Sequence, residues 1–222
     1  MKLVLFDLDG TLLDGDSDHA FGEFMVTLNW VDTRDWRSRN DGFYQQYLRG
    51  ELDVHAYVEF ATSAWRERDP DEVERARTRF LDEVIAPMIR PSASALVDKH
   101  RQAGDRLAVV TATNDFITAP IAARFGIEDL IATRLARDAQ GRVTGAIEGV
   151  PAFREGKTER VQQWLSASGS RMTDFDTVTF YSDSANDLPL LEFVTDPVAT
   201  NPDARLAAIA RERQWRTLNL FT

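Results

Sequence analysis

The stretch Phe6-Asp7-Leu8-Asp9-Gly10-Thr11-Leu12 closes the apolar run Leu3-Val4-Leu5-Phe6 with two carboxylates one residue apart and a glycine. A short, wholly apolar run ending in an acidic turn has the pattern of a buried parallel strand that delivers side chains at its C-terminal end. In open α/β folds, that end is where sites form. Asp7 and Asp9 are therefore the first candidates for chemistry. Three further pieces follow in order. Val109-Val110-Thr111 ends a second apolar run, Gly156-Lys157 opens an amphipathic segment, and Tyr181-Ser182-Asp183-Ser184-Ala185-Asn186-Asp187 ends a third run.

Between the first two pieces the pattern changes. From Ser17 to Pro87 apolar residues recur at three- and four-residue spacing, most clearly in Phe21, Phe24, Met25 and Leu28, which predicts a helical block. Val54, Val58 and Ala61, then Val73, Phe80, Leu81 and Val84, predict two further helices. After Pro91 helix and strand alternate. Ser92 to Gln102 reads as a helix stopped by Gly104, and Leu107 to Thr111 as a strand. Leu130 to Leu135 reads as a strand leading into a hairpin through Gly141, Val143 and Ile147. Lys157 to Leu165 then reads as a helix, Val178 to Tyr181 and Val194 to Thr200 as strands, and Asp203 to Glu212 as a closing helix. The expected fold class is α/β, a doubly wound parallel sheet interrupted after its first strand by a helical insertion. Residues 1–15 and 91–222 would form the core and residues 16–90 the insertion.

Composition narrows the function. A chain of 222 residues with 43% hydrophobic and 28% charged side chains is ordinary for one globular domain carrying an insertion. The net charge of −10 sets the surface against nucleic acid and anionic membranes, so an anionic substrate must be attracted locally. Without cysteine there is no thiol nucleophile and no disulfide, and His19, His55 and His100 are not paired at metal-ligand spacing. The N-terminal apolar run is too short for a signal peptide and no stretch of about 18 apolar residues follows, which predicts a cytoplasmic protein without a membrane partner.

The four ordered pieces resemble the motifs of the haloacid dehalogenase superfamily. The resemblance implies that Asp7 is a nucleophile forming an aspartyl-phosphate, and that Asp9 is a general acid and then a base. Thr111 and Lys157 would contact phosphoryl oxygens, and Asp187 would orient Lys157 or a metal-bound water, with Asn186 close enough to assist. A carboxylate attacking a phosphate dianion needs a cation to offset the repulsion. Mg2+ fits an all-oxygen set of Asp7, Asp183 and the Asp9 main-chain carbonyl. Members that attack carbon usually lack the second acid, so Asp9 favours phosphoryl transfer.

An insertion between Asp9 and Thr111 is similar to the helical cap of phosphoserine phosphatases, which closes over small substrates. By offset from the nucleophile, Asp16 falls where that branch binds a substrate amine. The second motif departs from the branch in reading Thr111-Ala112-Thr113, and the fourth in opening with Ser182. A carboxylate-binding arginine is not singled out; Arg37, Arg39 and Arg49 are all available. The expected activity is a Mg2+-dependent phosphomonoesterase for a small phosphorylated metabolite bearing an amine, phosphoserine and histidinol phosphate being comparable candidates. A phosphomutase or phosphotransferase would use the same phosphoenzyme, while a receiver-like signalling module has no room for the insertion.

Simpler readings stand beside these. Asp14, Asp16 and Asp18 do not form a calcium loop, because His19 and Met25 occupy its glycine and terminal-acid positions. One of Asp16, Ser17 and Asp18 is expected to cap a helix. Trp30, Trp36, Phe43, Tyr44 and Tyr47 read as the core of the helical block, and the alternating charges from Arg66 to Arg79 as a solvated helix face.

Overall fold

The computed structural model describes residues 1–221. Strand β1 (Leu3–Phe6) is followed by the helices α1 (Ser17–Thr27), α2 (Thr33–Arg49), α3 (Val54–Ser63) and α4 (Pro70–Phe80). A π-turn at Leu81–Ile85 joins α4 to the short α5 (Ala86–Met88). Each of α1 to α4 begins at an aspartate. Asp16, Asp32, Asp53 and Asp69 accept backbone N–H groups of their own first turns, and Pro70 behind Asp69 fixes the first helical position.

The alternating part runs α6 (Pro91–Gln102), β2 (Arg106–Asn114), α7 (Asp115–Arg124), β3 (Asp129–Thr133), β4 (Leu135–Arg137) and β5 (Val143–Ile147). It continues with α8 (Glu155–Ala167), β6 (Val178–Ser182), α9 (Leu188–Phe193), β7 (Asp196–Thr200), α10 (Ala204–Glu212) and β8 (Arg216–Leu218). Six strands form one parallel sheet in the order β3-β2-β1-β6-β7-β8, while β4 and β5 pair as an antiparallel hairpin.

Alternation in β1 sorts the two layers. Val4 and Phe6 pack in one apolar cluster with Val97 of α6 and Ile121 of α7. Leu3 and Leu5 pack in the other with Val161 of α8, Leu190 of α9 and Leu206 of α10. Helices on both faces of a parallel sheet make the doubly wound α/β class, as the sequence predicts. Phe21, Trp36 and Phe80 belong to the same cluster as Phe6, so the helical block is packed onto the sheet without an apolar gap. The strand order reverses at β1, and the crevice beyond the carboxyl ends of β1 and β6 is the switch point where such sheets bind ligands. No helix of the described residues is long and apolar enough to cross a membrane.

The sequence reading missed α9 and β8, and it implied a helix after the strand Leu107 to Thr111 without placing α7 on its residues. Helix α7 buries one face, Ile117, Thr118, Ile121 and Ala122, but Thr118 interrupts it and Ala119 and Ala123 leave the exposed side apolar too, so the sequence shows little contrast between faces, and Pro120 argues against a helix. Helix α9 has six residues and β8 three, too few for any period to register. Strand β2 runs beyond Thr111 to Asn114, which places Thr111 and Thr113 on the same side of one strand.

Candidate active site

Asp7 leaves the end of β1 and is 3% exposed. Its backbone N–H bonds to the carbonyl of Tyr181, which pins it beside β6. Lys157, in the first turn of α8 and 1% exposed, donates through Nζ to Asp7 Oδ1 at 2.7 Å and to Asp187 Oδ2 at 2.7 Å. Ser182 Oγ donates to the same Asp187 oxygen at 2.7 Å. One buried cation thus serves two buried carboxylates. Burial alone would lower the Lys157 pKa, but Asp187 and Asp7 together outweigh it and hold the ammonium charged. Burial pushes Asp187 up to about 6 against the pull of Lys157, and Asp7 is raised in the same way.

Asp183 approaches Asp7 from the end of β6. Thr11 Oγ1 lies 3.4 Å from Asp7 Oδ2 and 3.3 Å from Asp183 Oδ1. Burial and then the Asp7 charge raise the Asp183 pKa well above the ordinary carboxylate value. Gly10 makes this approach possible: its φ is +71°, and a Cβ there would collide with the Asp183 carboxylate. Asn201, after β7, holds the turn from below by donating through Nδ2 to the Gly10 carbonyl at 2.9 Å.

Asp9 faces the helical block. The Ser17 N–H at the start of α1 donates to its Oδ1 at 2.6 Å, and Thr113 Oγ1 donates to its Oδ2 at 2.9 Å. Burial, with the Asp16 charge adding to it, pushes Asp9 up to about 7 while Ser17 and Thr113 pull the other way. The carboxyl therefore stands near the balance between its two forms at neutral pH. Thr111 is 1% exposed; its Oγ1 accepts the Thr113 N–H at 3.2 Å, and its own proton has no acceptor among the described residues.

Asp7, Asp9 and Thr111 border a cleft with about 630 Å3 of unfilled space, its open mouth included, while Lys157, Asp183 and Asp187 stand behind Asp7 and outside its lining. Asp7, Asp9, Thr111 and Thr113 form one end, Asp16 and Asp18 of the helical block a flank, and Phe43, Tyr44 and Tyr57 part of the wall. Asp16 caps α1 through His19 N at 2.8 Å, as the cap reading has it, and it also lines the cleft. Trp36 is core as expected, stacked on Phe60 with centroids 4.1 Å apart. Phe43 packs against the core as expected, its ring 5.2 Å from that of Phe60, and also lines the cleft, whereas Tyr44 and Tyr47, expected as core, line the cleft. Asn186 is turned toward the helical block, its Nδ2 donating to the Tyr47 carbonyl at 2.8 Å.

Sequence reasoning passed over Thr11, Thr113, Ser182 as a donor, and Asn201. Only Thr113 left a usable signal, standing two positions beyond Thr111 and so on the same strand face.

The haloacid dehalogenase-like hydrolase family model matches residues 4–192, and the chain belongs to that family. Within it the chain is an enzyme of the phosphoric monoester hydrolase class. A histidinol-phosphatase from Neisseria meningitidis is 40% identical over 98% of this chain and 98% of its own length. A phosphoserine phosphatase from Mycobacterium tuberculosis is 32% identical over 96% of this chain and 68% of its own length. A Bordetella pertussis protein of unknown function has the same fold in its crystal structure, with a TM-score of 0.93, 46% identity and 99% of each chain covered.

Proposed function

We propose that the protein is a Mg2+-dependent phosphomonoesterase that acts through an aspartyl-phosphate on Asp7, on a small metabolite bearing an amine. The observation that carries this is the grouping at the switch point. Asp7 lies between a committed lysine and a second carboxylate, with a near-neutral acid, Asp9, across the same cleft.

The donor set fits Mg2+. Asp7 and Asp183 are buried carboxylates within reach of one hydroxyl, and the Lys157 charge, bound directly to Asp7 and Asp187, offsets Asp183 only partly, leaving its pKa raised. No three His, Cys, Asp or Glu side chains gather as a metal cage among the described residues. Mg2+ commonly takes only one or two carboxylates and keeps several waters. Asp7, Asp183 and the Asp9 main-chain carbonyl would hold it, and when bound it supplies charge neutralisation and Lewis acidity at the phosphoryl group.

The protein's own groups then divide the work. An Asp7 oxygen attacks phosphorus, and the bond from phosphorus to the substrate oxygen breaks while Asp9 gives that oxygen its proton. Thr111 and Lys157 donate to phosphoryl oxygens as charge builds on them. Asp187 holds Lys157 in place. A water then attacks phosphorus, Asp9 takes its proton, and the bond to Asp7 breaks to free phosphate. Residues 16–90 act as a cap that limits water, and Asp16 pairs with the substrate ammonium. The test is phosphate release from a panel of phosphorylated metabolites with Mg2+ and with a chelator. Release that ignores the chelator, or none from any monoester, would overturn the proposal.

Two expected results arise here. Asp9→Asn should slow phosphorylation of Asp7 by about 10² to 10⁴ for an alkyl phosphate. The loss should be much smaller for an activated aryl phosphate, whose leaving oxygen barely needs the proton. Equal losses in single-turnover measurements would count against Asp9 as the acid.

The second concerns stability. In the metal-free protein these carboxylates are raised from 3.8, Asp187 to about 6 and Asp9 to about 7. Between those values the folded state holds more protons than the unfolded one, so stability should fall as pH rises from about 4 to 7. Mg2+ replaces protons at the site, so the Tm increase it produces should be larger at pH 8 than at pH 5. An increase of the same size at both, or none at pH 8, would contradict the metal assignment.

A further inference from the structure

The charge of the cleft is one-sided. Asp7, Asp9, Asp16 and Asp18 line it, and neither lysine nor arginine does. The arginines that might have met a substrate carboxylate are engaged elsewhere: Arg37 with Glu23 at 2.8 Å, Arg49 with Glu51 at 2.8 Å, and Arg39 over the Phe60 ring at 4.5 Å. His19, the one basic side chain of the lining, has its Nε2 2.9 Å from Asp41. Lys157 is occupied by Asp7 and Asp187. A carboxylate entering this cleft would meet acids without a counter-charge.

Asp18 has no part in the chemistry proposed above. It stands two residues after Asp16 in the first turn of α1, and its carboxylate faces Tyr57 and Asn114, with Asn114 Nδ2 3.4 Å from its Oδ1. Phe43, Tyr44 and Tyr57 add aromatic surface to the same cavity. A cleft with aromatic walls and carboxylates suits an organic cation, which gains from both.

We infer that the alcohol part of the substrate carries a cationic nitrogen and no carboxylate, and that Asp18 beside Asp16 selects it. This rests on the phosphatase reading and divides its candidates: an amino-alcohol phosphate fits, and an amino-acid phosphate such as phosphoserine does not. The positive end offsets the acids of the helical block, while the phosphate lies at the Asp7 end.

Three phosphates of matched size test this: 2-aminopropyl phosphate, O-phosphoserine, which has a carboxylate in place of the methyl group, and propyl phosphate, which lacks the amine. p-Nitrophenyl phosphate with Mg2+ reports the chemistry independently of recognition. Interactions of about 2 kcal/mol or more per charge correspond to at least about 30-fold in kcat/KM. The wild-type protein should therefore favour 2-aminopropyl phosphate over O-phosphoserine by about that factor, and over propyl phosphate by about 10-fold or more. In Asp18→Asn the preference for the amine over propyl phosphate should shrink by about 10-fold, and O-phosphoserine should gain relative to both.

Failure to hydrolyse p-nitrophenyl phosphate would sink the phosphatase reading itself. Hydrolysis of it, with O-phosphoserine equal to or better than 2-aminopropyl phosphate, would overturn this inference alone. That comparison uses the wild-type protein and does not depend on how the variant folds. An Asp18→Asn protein with unchanged ratios would remove Asp18 from the selecting role.

Discussion

Asp7→Asn is expected to lower kcat for phosphate release by about 10⁵-fold or more, the scale seen when the nucleophile of a covalent mechanism is removed. An amide oxygen does not form the acyl phosphate, so the route itself is lost. Shape is kept, since Asn is isosteric and can still accept from Lys157 at the Asp7 Oδ1 position. Charge is relieved: Asp7, Lys157 and Asp187 together carry one net negative charge while buried, and the substitution makes that zero. The variant should thus lose activity without losing thermal stability. If it retained turnover within about tenfold of the wild type, covalent chemistry at Asp7 would be excluded; a rate and a Tm that fell together would assign Asp7 to the fold.

Lys157→Met should produce the largest loss of stability of any single change at the site. The ammonium holds two carboxylates that are almost wholly enclosed, at 2.7 Å each. Removing one partner of a buried ion pair costs about 3 to 5 kcal/mol, because the remaining charge is stranded away from water. Here two are stranded. Protonation offers them an escape: without Lys157 the pKa values of Asp7 and Asp187 rise further, so at low pH both are neutral and the loss is smaller. Urea unfolding should therefore show a deficit of about 3 to 5 kcal/mol at pH 8 that narrows at pH 5. A deficit under about 1 kcal/mol at pH 8 would mean that Lys157 is not the counter-ion of both.

The parts legible in the sequence share a physical property: a long period or a fixed place at a strand end. Leu3 to Phe6 is buried on both faces and therefore wholly apolar, which announces a central strand. Helices α1 and α3 show their period because they pack by one face, and Asp16 and Asp53 mark their starts. The candidate carboxylates stood out because two of them directly follow such a strand. What stayed hidden depends on contacts across the chain. Asn201 supports the Gly10 turn from about 190 positions away, and no local pattern links the two. Thr11 and Thr113 look like ordinary turn and strand threonines until Asp183 and Asp9 are brought against them. Tyr44 and Tyr47 read as core because periodicity reports that a face is covered, not whether protein or a cavity covers it. Asp18 read as one more acid near a helix start, and only its place in a cleft lined by neither lysine nor arginine supports the selecting role inferred for it.

The central claim is that phosphate passes through a covalent bond to Asp7. Rapid acid quenching of the protein during turnover of a reactive aryl phosphate with Mg2+, followed by peptide mass analysis, tests it most directly. The account predicts a phosphoryl group, lost on treatment with base, on the peptide that carries Asp7, and none in Asp7→Asn. Phosphate release with no phosphorylated protein at any quench time, together with inversion at phosphorus in a chirally labelled substrate where two successive displacements would give retention, would contradict it and point to direct attack by water.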